Sequence, residues 1–392
     1  MNFLLKLLLS ISILPITLLF SSDQTDYAIF IFDNMDKNMI ASMFNYAEKQ
    51  DASLLNELNF RIVFMGPSVD GMSKEPFCHY PEKLIHYSEL GIEEIIDHTW
   101  KRDRLLNQTS IENISKNLAI QKKIWVGVSC SIFGQILQYY QDNTDLEVVA
   151  LRDNPNLNGN TDYFLVANNI QSKAKKVAIP SKAASENLDL SLQKIVVIGH
   201  GPVEEWCEEV KNLDKEEIIL RLGLNSQLPI ILYAGVYGDY YENCFKTFLE
   251  LVAGKEVQIV IAPHPRYKGV IEKQLCAYPT IGEWEADPKK NAKMIELLYI
   301  ADAIVTADAT STIVFQGSAL KKKVLYINPV VSQVSDDLCA RKLIQKINSS
   351  EEFNLFIHTI KRSELASSDE DAFDLLGIPK NGAKLLWEEL LR

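Results

Sequence analysis

The chain's sharpest chemical signal is a histidine held between two prolines, Ala262-Pro263-His264-Pro265-Arg266-Tyr267, directly after the apolar run Val257–Ile261. Each proline fixes φ and removes an amide donor, so the turn cannot be drawn into a helix. His264 can give a hydrogen bond or a proton there, and the planar fork of Arg266 suits phosphate oxygens. A second signal is Asp308-Ala309-Thr310-Ser311-Thr312, where three hydroxyls open an apolar helical pattern. Helix capping alone accounts for hydroxyls at such a place. Beside the first turn they also suit an anion cradle of amides and alcohols, with Asp308 orienting the loop or meeting a sugar hydroxyl. A third is Gly235-Val236-Tyr237-Gly238, whose glycines allow close backbone approach to a phosphate. The fourth, Val128-Ser129-Cys130-Ser131, places hydroxyls at another helix start in the first half of the chain, where capping is the simpler role.

These loops gain meaning from the elements around them. From residue 26 onward, short apolar runs alternate with helical spacing: Tyr27–Phe32, Phe60–Met65, Ile124–Val128, Glu147–Leu151, Tyr163–Ala167 and Ile195–Ile198 are expected as strands. A second cycle starts at Ile230–Ala234 and continues through Val257–Ile261, Ala303–Val305 and Lys323–Ile327, with a helix expected over Lys290–Tyr299. Continuous apolar strands separated by helices are the signature of parallel sheets covered on both faces. In such sheets ligands bind beyond the carboxyl ends of the strands, where all four loops fall. The expected fold class is therefore α/β, with two Rossmann-like, doubly wound domains facing across a cleft and an apolar N-terminal helix. The expected divisions are residues 1–22, 23–222 (acceptor side), 223–366 (nucleotide side) and a C-terminal amphipathic helix in 367–392, with Leu213–Gln227 as a charged linker.

The chain has 392 residues, enough for two domains, and 47 % hydrophobic with 23 % charged residues excludes wholesale disorder, collagen and coiled coil. Its 40 Lys+Arg against 52 Asp+Glu give a net charge of −12, which argues against a nucleic-acid partner recognised through a broad basic face. The six cysteines are scattered with no metal-ligand spacing, so neither a disulfide scaffold nor a metal site is expected. Met1–Phe20 is almost wholly apolar before polarity returns at Ser21-Ser22-Asp23, the pattern of a signal peptide or a membrane anchor. An exported or membrane-anchored body follows from it, with the side of the membrane open.

The order of elements resembles the GT-B glycosyltransferase-like superfamily. Lys194–Val203 looks like the strand and turn closing its first domain, and Arg221-Leu222-Gly223-Leu224 with Leu228–Gly235 like its linker and next strand. Pro263-His264-Pro265 and Asp308-Ala309-Thr310-Ser311 are similar to the motifs of capsule-type sialyltransferases and teichoic-acid glycerophosphotransferases. That resemblance implies that His264, Thr310 and Ser311 meet the phosphates of a nucleotide-activated donor, with no further cofactor. It also implies a carboxylate base in the first domain. Val69-Asp70-Gly71 is the nearest match to the sialyltransferase acidic motif but lacks its first acid, so Asp70 competes with Asp33 and Asp153. The Glu-x7-Glu motif of retaining enzymes is missing from the sequence, and Phe315-Gln316-Gly317 stands where the fold's UDP-N-acetylglucosamine epimerases would carry a carboxylate. The leading expectation is transfer of a sugar or polyol phosphate from a nucleotide donor to a surface-glycan or lipid acceptor. The alternatives are an exported two-domain solute-binding protein without catalysis, or a sugar-nucleotide epimerase of the same fold.

Overall fold

The computed structural model describes residues 25–32, 34–66, 77, 79–92, 105–155, 162–186, 194–236, 240–264, 268–329, 332–361 and 371–392. The expected apolar segment 1–22 lies outside them. Among the described residues no helix is long and apolar enough to cross a membrane.

The first sheet runs β3 (Leu84–His86), β2 (Phe60–Phe64), β1 (Thr25–Ile31), β4 (Ile120–Gly127), β5 (Glu147–Leu151), β6 (Lys176–Ile179), β7 (Ile195–Val197), all parallel. Side chains of β1 alternate between two cores: Ala28 and Phe30 enter one, Tyr27, Ile29 and Ile31 the other. That two-sided burial is why the strand reads as an unbroken apolar run. Helices α1 (Asn34–Glu57), α2 (Gln108–Leu118), α3 (Ser131–Asn143) and α4 (Asp162–Lys173) make the crossovers. Tyr163–Ala167, expected as a strand, is instead the start of α4. Phe164, Ala167, Ile170 and Gln171 are buried while Leu165 is 58 % exposed, which is helical spacing and not alternation.

The second sheet is also parallel, in the order β12 (Gln345–Lys346), β11 (Lys323–Tyr326), β10 (Ala303–Thr306), β8 (Ile230–Ala234), β9 (Gln258–Ala262). Ile230, Leu232 and Ala234 face one core, Ile231 and Tyr233 the other. Between the sheets lie α5 (Gly201–Glu209) and α6 (Lys215–Arg221). The stretch expected as a linker thus contains α6, started by Asp214, whose carboxylate accepts from the Glu216 and Glu217 amides at 2.9 and 3.1 Å. Val203, Ile218, Ile219 and Leu222 already belong to the second core. Ala183, ahead of β7, belongs to it too.

The second domain is completed by α7 (Tyr241–Val252), α8 (Val270–Leu275), α9 (Met294–Ile300), α10 (Thr312–Ala319), α11 (Gln333–Ala340), α12 (Ser350–Lys361) and α13 (Ala372–Leu376). The helix expected from Lys290 begins only at Met294, four residues late. Last comes α14 (Gly382–Leu391), the expected amphipathic tail, which crosses back to the first domain. Its Leu386, Trp387 and Leu390 join Met39 and Met43 of α1 in one core. Lys123 donates to the Glu389 carbonyl at 3.1 Å, and Lys176 pairs with the buried Glu389 carboxylate.

Candidate functional site

The second sheet reverses its strand order between β8 and β10, and its crevice opens at that switch point. Loops from the adjacent strands β10, β8 and β9 border it. Gly235 ends β8 with its amide donating to the Ala262 carbonyl at 2.8 Å. A Cβ there would stand 2.7 Å from the His264 backbone nitrogen. Only a glycine lets these two loops meet, which places half-buried His264 beside the β8 turn. Gly238 and Arg266, expected to join them, lie outside the described residues.

After β10 the chain makes a turn held by Asp308. Its Oδ1 accepts from the Thr310 amide at 2.8 Å and from the Thr310 hydroxyl at 2.6 Å, while its own amide donates to Thr306 Oγ1 at 3.3 Å. Asn328 braces the turn by donating to the Ala307 carbonyl at 3.0 Å. Ser311 is the N-cap of α10, accepting from the Ile313 amide at 3.4 Å, and Thr312 is the first helical residue. The Thr310, Ser311 and Ile313 amides are thus satisfied within the turn, by Asp308 and by the Ser311 hydroxyl, and the positive end of the α10 dipole lies at this edge of the sheet. Tyr240 and Tyr326 stand near Asp308. Burial, reinforced by that carboxylate, raises both phenols, Tyr326 to about 12.

Facing this cradle is the end of β5. Arg152 is wholly buried, its Nε and Nη1 donating to the Asn154 and Ala184 carbonyls at 2.9 Å each, and its guanidinium lies 5.0 Å over Phe164. That anchoring fixes the next two residues. Asp153 is 3 % exposed and accepts from the Tyr163 hydroxyl. Asn154 crosses to the other domain, its Nδ2 donating to the Thr310 carbonyl at 3.2 Å. Of the three expected carboxylates, Asp153 is therefore one residue from a direct bridge to the turn before α10. Asp33 and Asp70 lie outside the described residues.

The first sheet has its own switch point, between β1 and β4. There the structure brings in a carboxylate that sequence reasoning missed. Asp36, in the first turn of α1, accepts from the Phe32 amide and from the Ser129 hydroxyl, both at 3.1 Å. The Ser129 hydroxyl thus serves Asp36, and the N-cap of α3 is Cys130, which makes no side-chain cap bond. The tight fit at Gly127, where a Cβ would sit 2.7 Å from Asp36 Oδ2, and the Ser129 hydroxyl are the traces of this arrangement in the sequence. Neighbouring Lys37 is lowered by burial against the opposing pull of Glu283 from the second domain.

His200 was also missed as a site residue. The residue is 4 % exposed, Nδ1 accepts from the Val203 amide at 3.3 Å, and the ring lies edge-on to Phe315 of α10 at 5.7 Å. Burial lowers its pKa to about 4, against a hydrogen bond to its own backbone and one to the backbone of Asp153. Among the described residues no group of three His, Cys, Asp or Glu side chains could hold a metal ion.

No family model matches the sequence, and no curated protein matches it. Solved structures match over nearly the whole chain. The UDP-GlcNAc 2-epimerase of Neisseria meningitidis, solved with UDP-GlcNAc bound, superposes with a TM-score of 0.67 at 14 % identity, over 93 % of this chain and 99 % of that one. A glycosyltransferase from Rickettsia africae gives 0.55 at 15 % identity, over 94 % and 99 %. The wall teichoic acid polymerase TagF gives 0.53 at 12 % identity, over 94 % and 88 %. None of the three is a sialyltransferase, so the narrower resemblance to that family finds no counterpart among them. What these likenesses establish, together with the two parallel sheets, is the fold: two Rossmann-like domains in the GT-B arrangement.

Proposed function

We propose that the cleft binds a nucleoside-diphosphate sugar, with its diphosphate over the loops that follow β8, β9 and β10 and its sugar facing Asp153. The reading is carried by the Asn154–Thr310 hydrogen bond, which sets a buried carboxylate beside the start of α10. As the bond from the anomeric carbon to the phosphate breaks, charge grows on the leaving diphosphate. The positive end of the α10 dipole, the Ser311 hydroxyl and the His264 imidazole are suited to receive it. Asp153 is the proposed base, held by Tyr163 for taking a proton from the reacting partner.

Departure of the nucleotide opens both group transfer and epimerisation at the neighbouring carbon. The comparisons favour epimerisation, since the UDP-GlcNAc-bound epimerase superposes at 0.67 against 0.55 and 0.53 for the two polymer- and glycoside-forming proteins. We therefore take a UDP-N-acetylhexosamine as substrate and inversion at C2 as the reaction. Transfer is the second reading, supported by the Pro-His-Pro turn and the hydroxylated start of α10. In that reading the acceptor is a surface glycan or lipid, and residues 1–22 act as export signal or membrane anchor.

The test is UDP-GlcNAc incubated in deuterated water and followed by NMR. Epimerisation gives a second UDP-sugar and deuterium at C2, because inverting that carbon must break and remake its C–H bond. Release of UDP only when a glycan or lipid acceptor is added supports transfer. Asp153→Asn should stop turnover while UDP still binds, and Ser311→Ala should weaken UDP. Failure of UDP and its sugars to bind at all would remove the reading.

A further inference from the structure

A cavity of about 450 Å³ lies away from the cleft, between the ends of α10 and α11, the start of β11, β12 and α13. It sits at Lys323, the first residue of β11, whereas Tyr326 at the other end of that strand approaches Asp308. The two places are thus about 10 Å apart along the strand, at a rise of about 3.3 Å per residue. Val324, Leu343 and Leu375 form an apolar floor. Lys321, Lys322, Lys323, Lys342 and Lys346 also line it, on a chain whose net charge is −12.

Backbone geometry makes this clustering more than a surface accident. Helix α10 ends with the Lys321 amide donating to Ser318 and the Lys322 amide to Gly317, both at 2.9 Å. Helix α11 ends the same way, Lys342 to Cys339 and Leu343 to Leu338, both at 2.9 Å. In each motif the left-handed position, φ 58° at Lys321 and 61° at Lys342, is the one that favours glycine. Lysine at both positions accepts backbone strain that glycine would avoid. Charge at a helix C-terminus offsets part of that strain. It does not explain why two helices aim such lysines into one cavity, or why two strands add Lys323 and Lys346. Lys346 answers Asp336, and the Lys322 ammonium is bound to the Tyr299 and Ala301 carbonyls at 2.7 and 2.9 Å. Lys321, Lys323 and Lys342 line the same cavity.

We propose that this cavity is a second anion site, taking a phosphate or diphosphate group whose apolar attachment rests on the Val324–Leu343–Leu375 floor. Lysines contributed to one cavity by two helix ends and a strand match a multiply charged phosphate, and the floor matches what it is attached to. A lipid phosphate and a soluble organic phosphate share that chemistry.

The experiment compares the full chain with the double variant K321G/K342G, which both left-handed positions accept. Pyrophosphate is titrated calorimetrically with excess UDP present, so that any binding in the cleft is already satisfied. In a second arm, both proteins are sedimented with phosphatidylcholine vesicles with and without phosphatidic acid. Both proteins carry the same residues 1–22, so only the lysines differ. The expected result is binding roughly tenfold weaker in the variant, with a melting temperature unchanged or raised. Loss in the pyrophosphate arm assigns a soluble phosphate, and loss confined to acidic vesicles assigns a lipid one. Equal binding by both proteins, or binding by neither, overturns the site. So does a variant that melts lower with binding intact, since the lysines would then serve only the helix ends.

Discussion

Substituting His200 tests the junction between the two domains through its pH dependence. The imidazole is buried against Phe315, and its pKa falls from 6.5 to about 4 chiefly because burial disfavours the charged ring. Between those values the unfolded chain binds a proton that the folded chain refuses. The fold therefore has its full stability above about pH 6.5 and loses it as pH falls toward 4. At about 1.4 kcal/mol per unit, the complete loss is about 3 kcal/mol, of which about 2 kcal/mol is gone by pH 5. That is a large part of a total in the range of about 5–15 kcal/mol. Glu204 and Glu205 on the same helix are raised by burial, so their contribution to the pH dependence has the opposite sign. They remain in both proteins when the wild type is compared with His200→Gln, so the difference in slope isolates the histidine. Urea unfolding at neutral pH and near pH 5 provides the numbers. The variant is expected to be less stable than wild type at neutral pH and to lose about 2 kcal/mol less on acidification. Parallel pH slopes for the two proteins would refute the assignment of a buried, neutral imidazole.

Three further outcomes are expected. Gly235→Ala drives a methyl to 2.7 Å from the His264 nitrogen; overpacking of this kind costs about 1–3 kcal/mol, read by thermal unfolding, and displacing that loop should weaken UDP at least about tenfold by calorimetry. Asn154→Ala removes the 3.2 Å bridge to Thr310; stability should fall by only about 1 kcal/mol, turnover should fall with UDP affinity retained, and small-angle scattering should report a wider molecule. Trp387→Ala empties a buried position between α14 and α1 and should cost about 3–5 kcal/mol in chemical unfolding; a smaller loss would mean that the tail is an appendage and not part of the first domain's core.

Much of the architecture is legible because parallel strands buried on both faces leave apolar runs that nothing else produces at that length. The same logic failed at Tyr163–Ala167. Five apolar-rich residues are too few to show a period, and only with Ile170 and Gln171 included does the buried set become helical. The loops after β8, β9 and β10 were legible as loops from the apolar strands that precede them, and the rule that ligands gather at strand carboxyl ends made them candidates. Asp36 was not, because its role depends on the Ser129 hydroxyl arriving from a distant loop and on the space left by Gly127. His200 reads in sequence as the middle of a Gly-His-Gly turn, and nothing local announces Phe315 as its neighbour. Amphipathic spacing reveals that the tail must bury one face, but spacing names no partner, so its return to α1 could not be derived.

The route of the chain between domains explains why these distant residues act together. It passes from the first domain to the second at Gly199-His200-Gly201 and returns through Gly377–Gly382, and the two crossings press on each other. A Cβ on Gly199 would lie 2.6 Å from the Pro379 carbonyl oxygen, and one on Gly382 would lie 2.5 Å from the His200 nitrogen. Two strands of chain in such contact can serve as one pivot for opening of the cleft. His200 sits at that pivot, hydrogen-bonded to the backbone of Asp153 on one side and packed on Phe315 of α10 on the other. Asn154 and Thr310 meet where the proposed base and the helix start face each other. Rotation that parts Asn154 from Thr310 must also part Asp153 from the anion cradle, since adjacent residues on one rigid loop move together. Phosphate binding by the second domain alone would survive such an opening, whereas proton transfer to Asp153 would not. Opening at the pivot should therefore separate binding from turnover, and Asn154→Ala measures that separation directly.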